Sequence, residues 1–173
     1  GVRKGECFGL LGPNGAGKTT AVKMLLKEHS ANGGFVHYPY TAISPASRSL
    51  DSDYQEARLG VCQQHDTLWE SFTAEEHLDL YLRIRLGSNY RRVEWESYIQ
   101  NSIKKVYLEA GEKRSEQFSG GMKRKLAVAI ALYTGAKTVF LDEPSTGMDP
   151  YARRAMWKSI NEALANDRGV ILT

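Results

Sequence analysis

Short apolar runs and amphipathic stretches alternate along this chain. Residues 7–11 form an apolar run of strand length, expected to be buried, and 12–17 a Gly-rich turn. Residues 18–27 have helical spacing, with Val22, Leu25 and Leu26 on one face. Strands are expected at 35–38 and 58–62, separated by a Ser-, Pro- and Ala-rich loop over 41–53. Residues 74–86 read as a strong amphipathic helix, capped by Thr73 with Glu76 three positions on. A weaker helical stretch covers 92–108, and a further helix is expected over 120–132. An apolar run over 138–142 ends in acids. A helix with Pro150 at its start follows over 150–165, and a last strand begins at Val170.

Strands alternate with helices at both ends of the chain, which predicts an α/β fold with a largely parallel sheet. Residues 73–117 are helical and polar without strand character. They are expected to form a helical subdomain inserted in the α/β core, reaching to about residue 135 with the helix that follows. The whole chain, 1–173, is then one domain. The chain starts directly in domain sequence and stops inside an apolar run, so both ends are expected to be truncated.

Composition adds little. The chain has 23 basic and 20 acidic residues, a net charge of +3, so charge gives no reason to expect a nucleic-acid partner. Cys7 and Cys62 lie far apart, each in an apolar run. They are expected to be buried free thiols rather than a disulfide or metal site. No apolar run approaches the roughly 18 residues that span a bilayer.

The sharpest chemistry is Gly12-Pro13-Asn14-Gly15-Ala16-Gly17-Lys18-Thr19, which fits the phosphate-loop pattern G-x-x-x-x-G-K-[ST] between a strand and a helix. Glycines let backbone N–H groups turn inward on a polyphosphate, and the helix N-terminus adds its dipole. Lys18 supplies a charge for the β- and γ-phosphates. The Thr19 hydroxyl suits Mg²⁺, and Thr20 reaches a further phosphate oxygen. The strand over 138–142 delivers Asp142 and Glu143. It is expected beside the phosphate-loop strand, with Asp142 on the Mg²⁺ and Glu143 polarising an attacking water.

Ser119-Gly120-Gly121-Met122-Lys123-Arg124 resembles the signature motif of ABC ATPases, L-S-G-G-Q. Pro144-Ser145-Thr146-Gly147-Met148-Asp149-Pro150 resembles the family's D-loop, and Gln64 stands where its Q-loop glutamine is expected. Met122 with the Lys123-Arg124-Lys125-Leu126 that follows it, Gly147 to Arg154, and Gly60 to Asp66 look like subfamily A, whose transporters are associated with lipids. Phe118 in place of Leu and Gln63 in place of Pro depart from the pattern without removing a catalytic group.

The resemblance implies a P-loop NTPase fold that binds MgATP. It implies Glu143 and Gln64 as catalytic groups and Thr19, Gln64 and Asp142 around the metal. It also implies two such domains stacked head to tail, so that Ser119, Gly120, Gly121, Met122 and Asp149 meet the nucleotide on the partner's phosphate loop. The other implied partners are transmembrane domains of the same protein, with this domain on the cytosolic face. Gln64 would link the site to the helical subdomain.

Alternatives remain. Ser119 is also a plain helix cap. The Lys123–Lys125 run is either a solvated helix face, the preferred reading, or a contact for lipid headgroups. A soluble ABC ATPase of translation-factor type, or a module that binds ATP without catalysis, would carry the same phosphate loop. The short interval between Gln64 and Phe118, without heptads, disfavours the coiled-coil repair ATPases. The family's adenine-stacking aromatic and switch histidine are not among these residues, so the isolated chain is expected to bind ATP weakly and turn it over poorly.

Overall fold

The apolar runs pair into one parallel sheet. A computed structural model describes residues 1–13, 15–34, 36, 59–65 and 67–173. Asn14, Arg58, the loop expected over 41–53 and the strand expected over 35–38, Val36 aside, lie outside the described residues. The strands are β1 (Cys7–Gly9), β2 (Leu59–Cys62), β3 (Thr138–Leu141) and β4 (Gly169–Leu172). Among the described residues their order is β1-β4-β3-β2, with every pairing parallel. The helices are α1 (Lys18–Leu25), α2 (Ala74–Leu86), α3 (Arg92–Lys105), α4 (Gly120–Tyr133) and α5 (Pro150–Ala165).

Alternation along the strands separates two cores, because successive side chains point to opposite faces. Phe140 and Ile171 pack with Val22 of α1 and Leu26 at its C-terminal end on one face. Val139, Leu141 and Val170 face the larger core, which includes Leu126, Leu132 and Ile160 of α4 and α5. The sheet therefore lies between helices on both sides, as parallel sheets require.

Two expectations are corrected here. β3 is not beside the phosphate-loop strand, because β4 lies between them and pairs Cys7 with Val170 and Thr138 with Gly169. Nor is Cys7 buried: β1 pairs only with β4 among the described residues and all three of its residues are exposed, whereas Cys62 is buried as expected.

Between β2 and β3 the chain forms α2, α3 and α4. The cap of α2 is a full capping box: Thr73 N–H donates to Glu76 at 2.8 Å and Glu76 N–H to the Thr73 hydroxyl at 3.3 Å. Leu78 and Leu82 of α2 and Ile99 and Ile103 of α3 are buried in the larger core. Asp79 ties the two helices together, within 2.7 Å of both Arg83 and Arg92. His77 is fully buried. The Trp69 N–H donates to its Nε2 at 3.0 Å, so its Nδ1 carries the proton given to the Thr73 carbonyl at 2.7 Å. Burial pushes its pKa below the ordinary histidine value, which keeps the ring neutral in this arrangement. The neutral ring pins the segment that leads from β2 into α2.

Gly60 sets how closely α4 lies on the sheet. A Cβ there would stand 2.2 Å from the Ala131 carbonyl oxygen and 2.9 Å from the Ala136 Cβ. Gly60→Ala must push β2 away from α4, and overpacking of this kind costs about 1–3 kcal/mol. A lowered thermal midpoint is the expected result, and an unchanged midpoint would show that the two elements separate freely.

Candidate nucleotide site

β1 delivers the chain into the Gly-rich loop, and the loop runs directly into α1. Gly15 and Gly17 have φ of 82° and 89°, values that side-chain-bearing residues rarely adopt. Gly17 occupies the cap position of α1 and no side chain caps the helix, so its first N–H groups face the loop without a side-chain acceptor. Lys18 folds back inside the loop. Its Nζ donates to the Gly12 carbonyl at 2.9 Å and the Pro13 carbonyl at 3.2 Å. Ala16 N–H closes a turn onto Pro13 at 3.2 Å.

A cleft of about 360 Å³ opens over this loop. It is lined by Gly15, Gly17, Lys18, Thr19, Thr20, Gln64 and Glu143, so the structure collects the phosphate-loop groups with the two candidate catalytic side chains. A second cavity of about 140 Å³ shares Thr19 and Gln64 with it and adds Asp142. Thr19, Gln64 and Asp142 thus border one space, and their side chains carry a hydroxyl, an amide and a carboxylate. This is a hard oxygen donor set, which fits Mg²⁺ shared with substrate phosphates. Among the described residues no group of three or more His, Cys, Asp or Glu offers an alternative metal site.

The two acids differ in setting. Asp142 is 5% exposed; its N–H donates to the Cys62 carbonyl at 2.8 Å and its carboxylate accepts from the Thr173 hydroxyl at 2.5 Å. Its position is therefore fixed from β2 and from the residue that follows β4. Glu143 is half-buried and takes φ of 46°, which turns the chain sharply out of β3. Its N–H donates to the same Thr173 hydroxyl at 3.0 Å. Thr173 was not singled out by any motif; its role follows from the strand order.

Ser119, Gly120, Gly121, Met122 and Asp149 line neither cavity. Ser119 caps α4, accepting from the Met122 N–H at 3.3 Å, and Asp149 caps α5, accepting from the Tyr151 and Ala152 N–H groups at 2.9 Å. The hydrogen bond from Ala152 is the main cause holding the Asp149 carboxyl below the usual carboxylate range. Both residues lie on the exposed surface.

Arg124 corrects the solvated reading of the Lys123–Lys125 run. It is 3% exposed and donates to the carbonyls of Gln63, Gln64, Asp142, Glu143 and Pro144. The helical period explains the burial, because residues 124, 128 and 132 share one stripe of α4 and Val128 and Leu132 are fully buried.

The family model described as "ABC transporter" matches residues 1–146. The chain belongs to the ABC transporter family. ABC transporter A family member 5 of Arabidopsis thaliana is 42% identical to it over 99% of this chain and 18% of that protein. Phospholipid-transporting ATPase ABCA3 of Rattus norvegicus is 40% identical over 99% of this chain and 10% of that protein. The chain thus spans less than a fifth of these subfamily A relatives. A bacterial ABC transporter cassette, solved as a dimer, superposes with a TM-score of 0.84 at 22% identity, over 99% of this chain and 75% of that one. The fold is that of the P-loop NTPases, as the sequence pattern predicts. In this ABC domain no helix among the described residues is long and apolar enough to cross a membrane.

Proposed function

We propose that this chain binds and hydrolyses MgATP and that it powers lipid movement across a membrane as part of a larger subfamily A transporter. The observation that carries the reading is the single cleft that joins Lys18 and Thr19 to Gln64 and Glu143. The loop N–H groups and Lys18 hold the substrate's phosphates. Thr19, Gln64 and Asp142 would hold Mg²⁺, which would supply positive charge to neutralise the transferring phosphate. Glu143 orients the attacking water and takes its proton.

Ser119, Gly120, Gly121, Met122 and Asp149 then serve a second ABC domain. The exposure of Ser119, Gly120 and Asp149 outside the home cleft supports this, as does the dimer of the bacterial cassette. α2, α3 and α4, within about residues 73–135, act as the helical subdomain that meets the transmembrane partner at the cytosolic face. The lipid class rests on the likeness to the phospholipid-transporting relative.

The test is the full-length protein reconstituted in phospholipid vesicles carrying a fluorescent phospholipid. Phosphate release and movement of the probe between leaflets are expected with MgATP, and both stop with EDTA. Hydrolysis without lipid movement would remove the lipid reading and leave the ATPase. No hydrolysis would remove both.

A further inference from the structure

We infer that Arg124 is a positioning residue that clamps Glu143 and Gln64 to the helix bearing the signature motif. All three guanidinium nitrogens are engaged. Nε donates to the Pro144 carbonyl at 3.3 Å. Nη1 reaches the carbonyls of Gln63 and, at 3.4 Å, Gln64. Nη2 reaches the carbonyls of Asp142 and, at 2.7 Å, Glu143. The acceptors come from two segments far apart in sequence, the end of β2 and the turn after β3. Only a planar fork with five donors serves both at once; an ammonium is a single point from which such bonds cannot spread in two directions.

The clamp falls where the backbone needs it. Glu143 sits at φ of 46°, a conformation that a side-chain-bearing residue keeps only when its surroundings over-determine it. Its N–H is held by the Thr173 hydroxyl and its carbonyl by Arg124, so both flanking peptides are fixed. The same guanidinium holds the Gln64 carbonyl, and both side chains line the cleft over the phosphate loop. Arg124 is five residues beyond Ser119, on the same rigid helix. A shift of α4 therefore carries the backbone of Gln64 and Glu143 with it. On the proposed head-to-tail arrangement, on which this step rests, engagement of Ser119 by the partner's nucleotide would be felt at the home site through this one side chain.

The deciding experiment compares wild-type and Arg124→Lys full-length protein by hydrogen–deuterium exchange and by steady-state ATP hydrolysis. Lysine keeps the charge and a donor but cannot bridge both segments, and an unchanged circular-dichroism spectrum checks that the variant folds. Faster exchange is expected in both 63–65 and 142–146. The kcat is expected to fall about 10- to 100-fold, as misplacement of a catalytic group by about an ångström does, with KM for ATP within about threefold because the phosphate loop is untouched. Arg124→Gln should fall further in kcat with the same split. Unchanged exchange in either segment would overturn the clamp whatever the activity. Equal loss in kcat and in the amount of ATP bound would also overturn it, marking Arg124 as merely structural. A wild-type protein that does not hydrolyse ATP would sink the ATPase reading instead, and exchange would still decide the clamp.

Discussion

Glu143→Gln is expected to lower ATP turnover by about 10²- to 10⁴-fold, the range supplied by a general base, while leaving nucleotide binding close to wild type. The substitution preserves shape and hydrogen-bonding reach but removes the carboxylate proposed to take a proton from water. Glu143 lines the same cleft as Lys18 and Gln64, yet its backbone is held by Thr173 and Arg124, which the substitution leaves in place. The variant should therefore keep an intact site that closes on ATP and stalls there. Phosphate release in the full-length protein measures the loss, and ATP-dependent association of the domains measures what is kept. Turnover at the wild-type rate would take the base away from Glu143.

Lys18→Ala is expected to act one step earlier, weakening ATP binding about 10- to 100-fold, as loss of a hydrogen bond to a charged group does. Lys18 Nζ spans the loop to the carbonyls of Gly12 and Pro13, so the change removes both a strut and the charge. Titration with a fluorescent ATP analogue in the full-length protein reads the affinity directly. The two variants should separate cleanly: Glu143→Gln binds without turning over, and Lys18→Ala binds poorly. An undiminished affinity in Lys18→Ala would mean that the loop amides alone hold the phosphates.

What could be read from sequence was whatever local chemistry determines. The phosphate loop needs glycines at fixed places, and the structure puts positive φ at Gly15 and Gly17. The α2 cap needs Thr73 and Glu76 in reciprocal positions, and they form that pair. α5 starts at Pro150, as its sequence indicates, and the structure adds Asp149 as the acceptor in front of it. What could not be read depends on distant pairing. No local pattern tells that β4 inserts between β1 and β3, and so none reveals that Thr173 reaches Asp142 and Glu143. Arg124 was hidden by its neighbours. Flanked by Lys123 and Lys125 it looks like a charged surface run, although its spacing to Val128 and Leu132 already placed it on the inward stripe.

The strand order also has a consequence for how the molecule is made. β1 finds its described partner only in β4, and the Cys7–Val170 pairing spans nearly the whole chain. During synthesis the phosphate loop therefore emerges long before the strand that seats it. Closing so long a loop is slow, and unpaired strand edges in the interval invite aggregation. The nucleotide site consequently cannot mature on the ribosome before β4 has emerged, and its first half waits for that strand to arrive.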